Sequence, residues 1–175
     1  MVNKIKHIDS ALIPEIRTLL GRINDPEIPV LSITDLGILR DVLIDYSGEN
    51  PQLVVKITPT YSGCPAMNVI SMQIRMSLLE HGYDNVRIET VLSPAWTSDW
   101  MSAEGKDKLK SYGIAAPNPT QTVCHMDLFR MDEAVQCPLC NSYNTSLVSQ
   151  FGSTACKAHY VCRDCAEPFD YFKSH

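Results

Sequence analysis

No run of about 18 apolar residues occurs anywhere in this 175-residue sequence, which excludes a helix of membrane-spanning length. Met1 to Asp9 carries no apolar core of signal-peptide size, so a cytoplasmic location without a membrane partner is expected. Positive charge is scarce as well. Fifteen Lys and Arg stand against twenty Asp and Glu, for a net charge of −5. A nucleic-acid partner is therefore not expected, because phosphate binding needs a basic patch. Three motifs are missing: a Glu-x-x-His pair for a di-iron site, a glycine-rich dinucleotide fingerprint, and the Cys-x4-Cys-x2-Cys spacing of ferredoxins. With 45% hydrophobic residues, the length suits one ordinary domain plus a small appendage.

Cysteine is what the chain has in quantity. There are seven, an odd number, which in a reducing compartment read as thiols and metal ligands rather than disulfides. Cys137-Pro-Leu-Cys140 and Cys162-Arg-Asp-Cys165 are separated by 21 residues. Each pair bends through a turn that brings two sulfurs to one side, and a hairpin between them completes a closed tetrahedral zinc site. Such a site is structural. From Ala134 onward Lys157, Arg163 and Lys173 balance Asp164, Glu167 and Asp170, so this ribbon has no phosphate-binding charge. Cys124, before His125, and Cys156, three residues before His159, have metal-compatible company. The matched pairs alone fill a tetrahedral shell, and these two are read as packed or surface thiols.

The rest of the chain reads as a small α+β domain, mixed α/β, with a hairpin and a βαβ-like unit. Leu12, Ile16, Leu19 and Ile23 mark a first helix from Asp9 to Gly21. Strands are expected at Ile38 to Tyr46 and Leu53 to Thr58, joined by Ser47-Gly-Glu-Asn-Pro51 as a hairpin. A long helix from Pro65 to His81 follows, then a strand from Asn85 to Val91. On that helix Met67, Ile70, Ile74 and Leu78 form one apolar row, and Val69, Met72, Met76 and Leu79 a second. Two rows imply burial on two sides, in the core or against a second subunit in a homodimer. Trp100 to Tyr112 is expected as a short charged helix. The domains are expected at 1–115, with a linker at 116–133 and a zinc ribbon at 134–175.

Cys64 sits after Gly63 and before Pro65, at the start of the long helix. There the free amides and the helix dipole favour a thiolate with lowered pKa, suited to attack an electrophile or ligate a soft metal. It could equally be a half-buried packing cysteine. A cysteine hydrolase needs a histidine base, and His81 lies at the far end of the same helix, roughly 25 Å away. One thiolate is also too few to hold a permanent cluster. Asp25 and Glu27 share one turn and serve either as turn formers or as groups beside Cys64. Asp35 before Gly37, and the hydroxyls of Thr58 and Thr60, carry the same two readings.

Asp25-Pro-Glu27-Ile-Pro, Asp35-Leu-Gly37-Ile and Thr58-Pro-Thr60-Tyr-Ser-Gly-Cys64-Pro resemble the small domain of SufT-like iron–sulfur assembly factors. Ser93-Pro-Ala-Trp-Thr-Ser-Asp-Trp100, Phe151-Gly-Ser-Thr-Ala-Cys-Lys157 and Glu167-Pro-Phe-Asp-Tyr-Phe-Lys173 narrow this to a resemblance to the PaaD (PaaJ) family of phenylacetate-degradation proteins, over about Ile13 to Lys173. The resemblance implies a non-enzymatic accessory factor in aerobic phenylacetate catabolism. It would assist iron–sulfur cluster assembly or insertion in the reductase of phenylacetyl-CoA epoxidase, with that reductase and other oxygenase subunits as partners. It implies Cys64 as the cluster-handling thiolate, Asp25, Glu27 and Thr60 as its neighbours, a transient iron–sulfur cluster, and structural zinc on Cys137, Cys140, Cys162 and Cys165. The alternative is a non-catalytic structural subunit of the epoxidase. Two departures stand out: Asn141 where ribbons often carry glycine, a substitution the left-handed conformation tolerates, and Ser174 where cysteine is expected.

Overall fold

The computed structural model of the chain describes residues 9–117 and 135–173. The expectations for Cys124, His125, Ser174 and most of the 116–133 linker lie outside them. The architecture is α+β and falls into two compact units, Met1–Trp96 and Thr97–His175.

The first unit opens with a 3-10 turn at Ser10–Leu12, capped by the Asp9 carboxylate, and continues as helix α1, Ile13–Leu20. Ile16 and Leu20 are its fully buried residues. Strands β1 (Leu39–Asp45) and β2 (Gln52–Ile57) pair antiparallel as the expected hairpin. Helix α2 (Ala66–Glu80) carries the chain across to β3 (Val86–Thr90), which lies parallel to β2. The sheet order is β1-β2-β3, so β2 is central, and Leu53, Val54 and Val55 run consecutively buried along it. Gly82 ends α2 at φ +88, a conformation glycine adopts without steric cost. Trp96 closes the unit, its indole N–H donating to the Leu36 carbonyl at 2.8 Å.

The core reading of the second α2 row is corrected, and that row stays open to a second subunit. Only the row of Ala66, Ile70, Ile74 and Leu78 is buried, while Val69, Met72, Met76 and Leu79 are exposed. The reason is geometric: a three-stranded sheet offers a helix one face, so only a single stripe finds a partner in the unit.

In the second unit the expected Trp100–Tyr112 helix is two pieces. A 3-10 turn at Ser98–Trp100 ends at Met101, whose backbone is extended, and Ser102 caps α3, Ala103–Ser111, by accepting from the Gly105 amide. Serine at a cap competes for the amides that a continuous helix would use. Strand β4 (Ile114–Ala115) then pairs parallel with β7 (Pro168–Phe172), beyond β6 (Lys157–Cys162) and β5 (Thr145–Ser149), in the order β4-β7-β6-β5. The segment from Thr97 to Ala115, expected with the first domain, thus contributes a strand to the second sheet. Ala158, Tyr160, Cys162, Phe169 and Tyr171 build its core. There Tyr160 stacks on Phe169 at 5.9 Å and meets Tyr171 edge-on at 5.7 Å.

Candidate functional site

The four-cysteine centre belongs to the second unit. Each knuckle closes by the same hydrogen bond: Cys137 N–H donates to Ser142 O at 2.8 Å, and Cys162 N–H to Glu167 O at 3.0 Å. The residue after each second cysteine takes a left-handed conformation, Asn141 at φ 63 and Ala166 at φ 62. Asn141 does so as its residue type allows, whereas alanine bears the Cβ cost there. The Sγ atoms of Cys137, Cys140, Cys162 and Cys165 all lie within 4.8 Å of one another. Across the knuckles Cys137 Sγ is 3.8 Å from Cys165 Sγ, and Cys140 Sγ is 3.5 Å from Cys162 Sγ. Four thiolates about 2.3 Å from a tetrahedral zinc stand roughly 3.8 Å apart. The donor set fits zinc.

The metal-free thiols are unequal. The amides of Cys165 and then Asp164 donate to Cys162 and bring it down to about 7. At Cys140 the Ser142 amide works in the same direction. The hydrogen bond shared with Cys162, together with burial, outweighs it and pushes Cys140 up to about 12. The first proton thus leaves the cluster as a whole near neutrality. Outside the ligands, Ser142 Oγ and Asn144 Nδ2 both donate to the Asp164 carboxylate, joining one knuckle to the other.

Cys156 takes no part in the cluster. It is buried, with Thr154 Oγ1 3.1 Å from its sulfur. His159 turns instead to Asp170, at 3.3 Å, whose other oxygen lies 3.2 Å from the ammonium of Lys157.

The second candidate site lies in the first unit, where the chain leaves the central strand. Thr58 follows β2, its amide donating to Ile38 O at 2.9 Å. Its hydroxyl is buried and finds no hydrogen-bond partner among the described residues. Thr60 is also buried. Gly63 turns at φ +85, and half-buried Cys64 follows, immediately before α2. Asp25 is buried, its Oδ1 accepting from the amides of Glu27 (2.8 Å) and Ile28 (2.9 Å). Asp25 thus forms the turn, and its charge is the smallest of the influences that push the Cys64 thiol up.

The Cys64 thiol is the point at which expectation and structure part. Burial pushes it up, and the Ala66 amide opposes this. The negative charge of Glu27 pushes it further up, the Tyr61 side chain opposes, and Asp25 adds a last upward contribution. The expected lowering by the helix terminus is present but outweighed, because partial desolvation, and after it two carboxylates, act on the same sulfur. The motifs put Asp25 and Glu27 beside Cys64 but gave no role to Tyr61, whose spacing three residues before the cysteine was the available signal. Asp35 is absorbed by its turn: its carboxylate accepts from Ser32 N–H (3.0 Å) and Ser32 Oγ (2.8 Å). A half-buried, protonated thiol with two carboxylates is a poor nucleophile toward an anionic substrate. It is a good acceptor for a cation that displaces the thiol proton.

Comparison with known proteins follows this division. Residues 14–89 match the family model of an iron–sulfur cluster assembly protein, and residues 121–173 match that of the PaaD zinc beta ribbon domain. A protein of Escherichia coli (strain K12), provisionally described as a subunit of 1,2-phenylacetyl-CoA epoxidase, is 48% identical over 159 residues, covering 91% of each chain. Cytosolic iron-sulfur assembly component 2B of Mus musculus is 30% identical over 86 residues, 49% of this chain and 52% of its own length. Among solved structures, a domain of unknown function from Bacillus anthracis has a TM-score of 0.51 at 28% identity, covering 57% of this chain and 92% of that one. Among the described residues no helix is long and apolar enough to cross a membrane.

Proposed function

The chain belongs to the PaaD family of phenylacetyl-CoA epoxidase subunits, and from that premise we propose that it is a non-enzymatic accessory factor assisting iron–sulfur cluster assembly or insertion in the epoxidase reductase. The observation that carries this reading is the company of Cys64: a half-buried thiol raised first by its burial and then by Glu27 and Asp25, at a sharp turn before a helix. That an iron–sulfur assembly domain occupies residues 14–89 supports it. We place the protein in the cytoplasm, where free thiols persist.

Iron, alone or in a cluster, is the cargo. Its positive charge offsets Glu27 and Asp25, so Cys64 gives up its proton as it binds. One soft thiolate with hard oxygens beside it holds iron without trapping it, and a client offering several thiolates outcompetes this site. Cys137, Cys140, Cys162 and Cys165 would hold a structural zinc, which supplies folding energy to the ribbon. No cargo step runs through it.

The test is anaerobic iron–sulfide reconstitution of the native chain and of Cys64→Ser. About one zinc per chain is expected in both, with iron absorption only in the native protein and reductase activation lost in the variant. Iron binding by neither, or normal activation by Cys64→Ser, would overturn the reading. The E. coli relative's description as a subunit favours one second reading, a stoichiometric structural subunit. It would show as stable co-purification with the oxygenase that is indifferent to Cys64.

A further inference from the structure

We propose that the pocket between α1 and the C-terminal end of α2 binds a small aromatic carboxylate, its ring against Leu19 and Tyr83 and its carboxylate on Arg22. The site stands at the far end of α2 from Cys64 and does not depend on the reading of that thiol.

Buried Ile16 and Tyr83 and half-buried Leu19 line the inner part of the pocket. Its volume is about 260 Å³, its lining is mainly apolar, and it opens to solvent. An apolar cavity of about 150 Å³ holds one benzene. This pocket therefore has room for a six-membered ring and a short substituent beyond it. Tyr83 offers that ring an aromatic neighbour.

The exposed residues at the mouth select the charge of the ligand. Thr18 spends its hydroxyl on the Pro14 carbonyl, at 2.9 Å. His81 Nδ1 lies 2.8 Å from the Ser77 carbonyl, which can only accept, so the ring's hydrogen is spent there. The Arg22 side chain has no hydrogen bond or ion pair among the described residues. It is the donor that remains at the mouth, and its planar fork matches a carboxylate through two parallel hydrogen bonds. Glu15, an anion on the same rim, precedes Arg22 by two helical turns, about 10 Å along the axis. It stands in the first turn of α1, where the free amides stabilise its charge.

The experiment titrates benzoate, benzamide, acetate and benzylamine into the nitrogen-labelled full chain, native and Arg22→Gln, and follows amide shifts by nuclear magnetic resonance. Arg22 is exposed, so the variant should keep the native spectrum away from the pocket. Benzoate is expected to shift the amides of Leu19, Arg22, His81 and Tyr83 together, with a Kd of about 0.1–1 mM for a ligand of its size. Acetate lacks the ring and benzamide lacks the charge, and each should bind at least about tenfold more weakly. Arg22→Gln should weaken benzoate at least about tenfold and leave benzamide unchanged. No benzoate shifts at these residues up to roughly 10 mM, or undiminished binding by Arg22→Gln, overturns the proposal. So does tighter binding of benzylamine than of benzoate, which would give the mouth to Glu15 and the pocket to cations.

Discussion

Asn144 Nδ2 donates to Asp164 Oδ1 at 2.6 Å, joining the first zinc knuckle to the second through side chains that are not ligands. Ser142 Oγ donates to the other oxygen of the same carboxylate. Asp164→Ala should therefore lower zinc affinity by about 10- to 100-fold with all four sulfurs intact, read by competition with a chromophoric chelator. An affinity equal to native would show that the knuckles are positioned by the backbone alone.

Affinity for zinc should rise with pH, because each bound thiolate displaces a proton. With Cys162 brought down to about 7 and Cys140 pushed up to about 12, one displaced proton is already gone above pH 7 while others remain. The plot of log Kd against pH should become shallower by about one proton on crossing pH 7. Chelator competition between pH 5.5 and 8.5, values set by ~1.5 units on either side of that crossing, checks the change of slope.

Lys157 is buried, its ammonium 3.2 Å from Asp170, and side-chain exposures are 8% and 25%. Asp170→Asn should cost the ribbon about 2–4 kcal/mol in guanidinium unfolding, since it leaves a buried charge without its partner. Gly152→Ala should weaken the same network, because a Cβ there would stand 3.2 Å from Asp170 Oδ1 and 3.3 Å from Lys157 Cβ. Replacing Lys157 and Asp170 together by Met and Leu should recover most of the loss. A double variant as unstable as Asp170→Asn would disprove this account.

Glu27→Gln should speed alkylation of Cys64. Removing a negative charge stabilises the thiolate, so the raised pKa falls and more thiolate is present at pH 8. Roughly two- to fivefold is expected for a partly exposed pair. Peptide-resolved mass spectrometry separates Cys64 from the other cysteines. An unchanged rate would mean that Glu27 does not act on the sulfur.

Asn141 at φ 63 is the position where side-chain type should matter most. Asn141→Gly should be near neutral, and Asn141→Val should cost about 1–2 kcal/mol, because a β-branched residue clashes in the left-handed region. Thermal unfolding of the zinc-loaded protein distinguishes them.

Much of this was legible beforehand, for physical reasons. The hairpin, α2 and β3 follow from alternation, helical spacing and the Pro65 and Gly82 punctuation, all of them local signals. The zinc site follows from two spacings, since Cys-x2-Cys closes into a knuckle almost wherever it occurs. Other features depend on neighbours that spacing does not encode. The apolar row of Val69, Met72, Met76 and Leu79 looks the same in sequence whether a sheet covers it or solvent does. Ser102 stops the expected helix by capping a shorter one, a contest between two local preferences that composition leaves open.

The amino-acid sequence by itself determined the element order, the ribbon and the cysteines that close it, because these depend on contacts between residues near in the chain. Only the tertiary structure decided the direction in which Cys64 shifts. Burial of the sulfur is the largest upward influence, and the fold adds to it the charges of Glu27 and Asp25, almost forty residues upstream, so that together they outweigh the helix that follows.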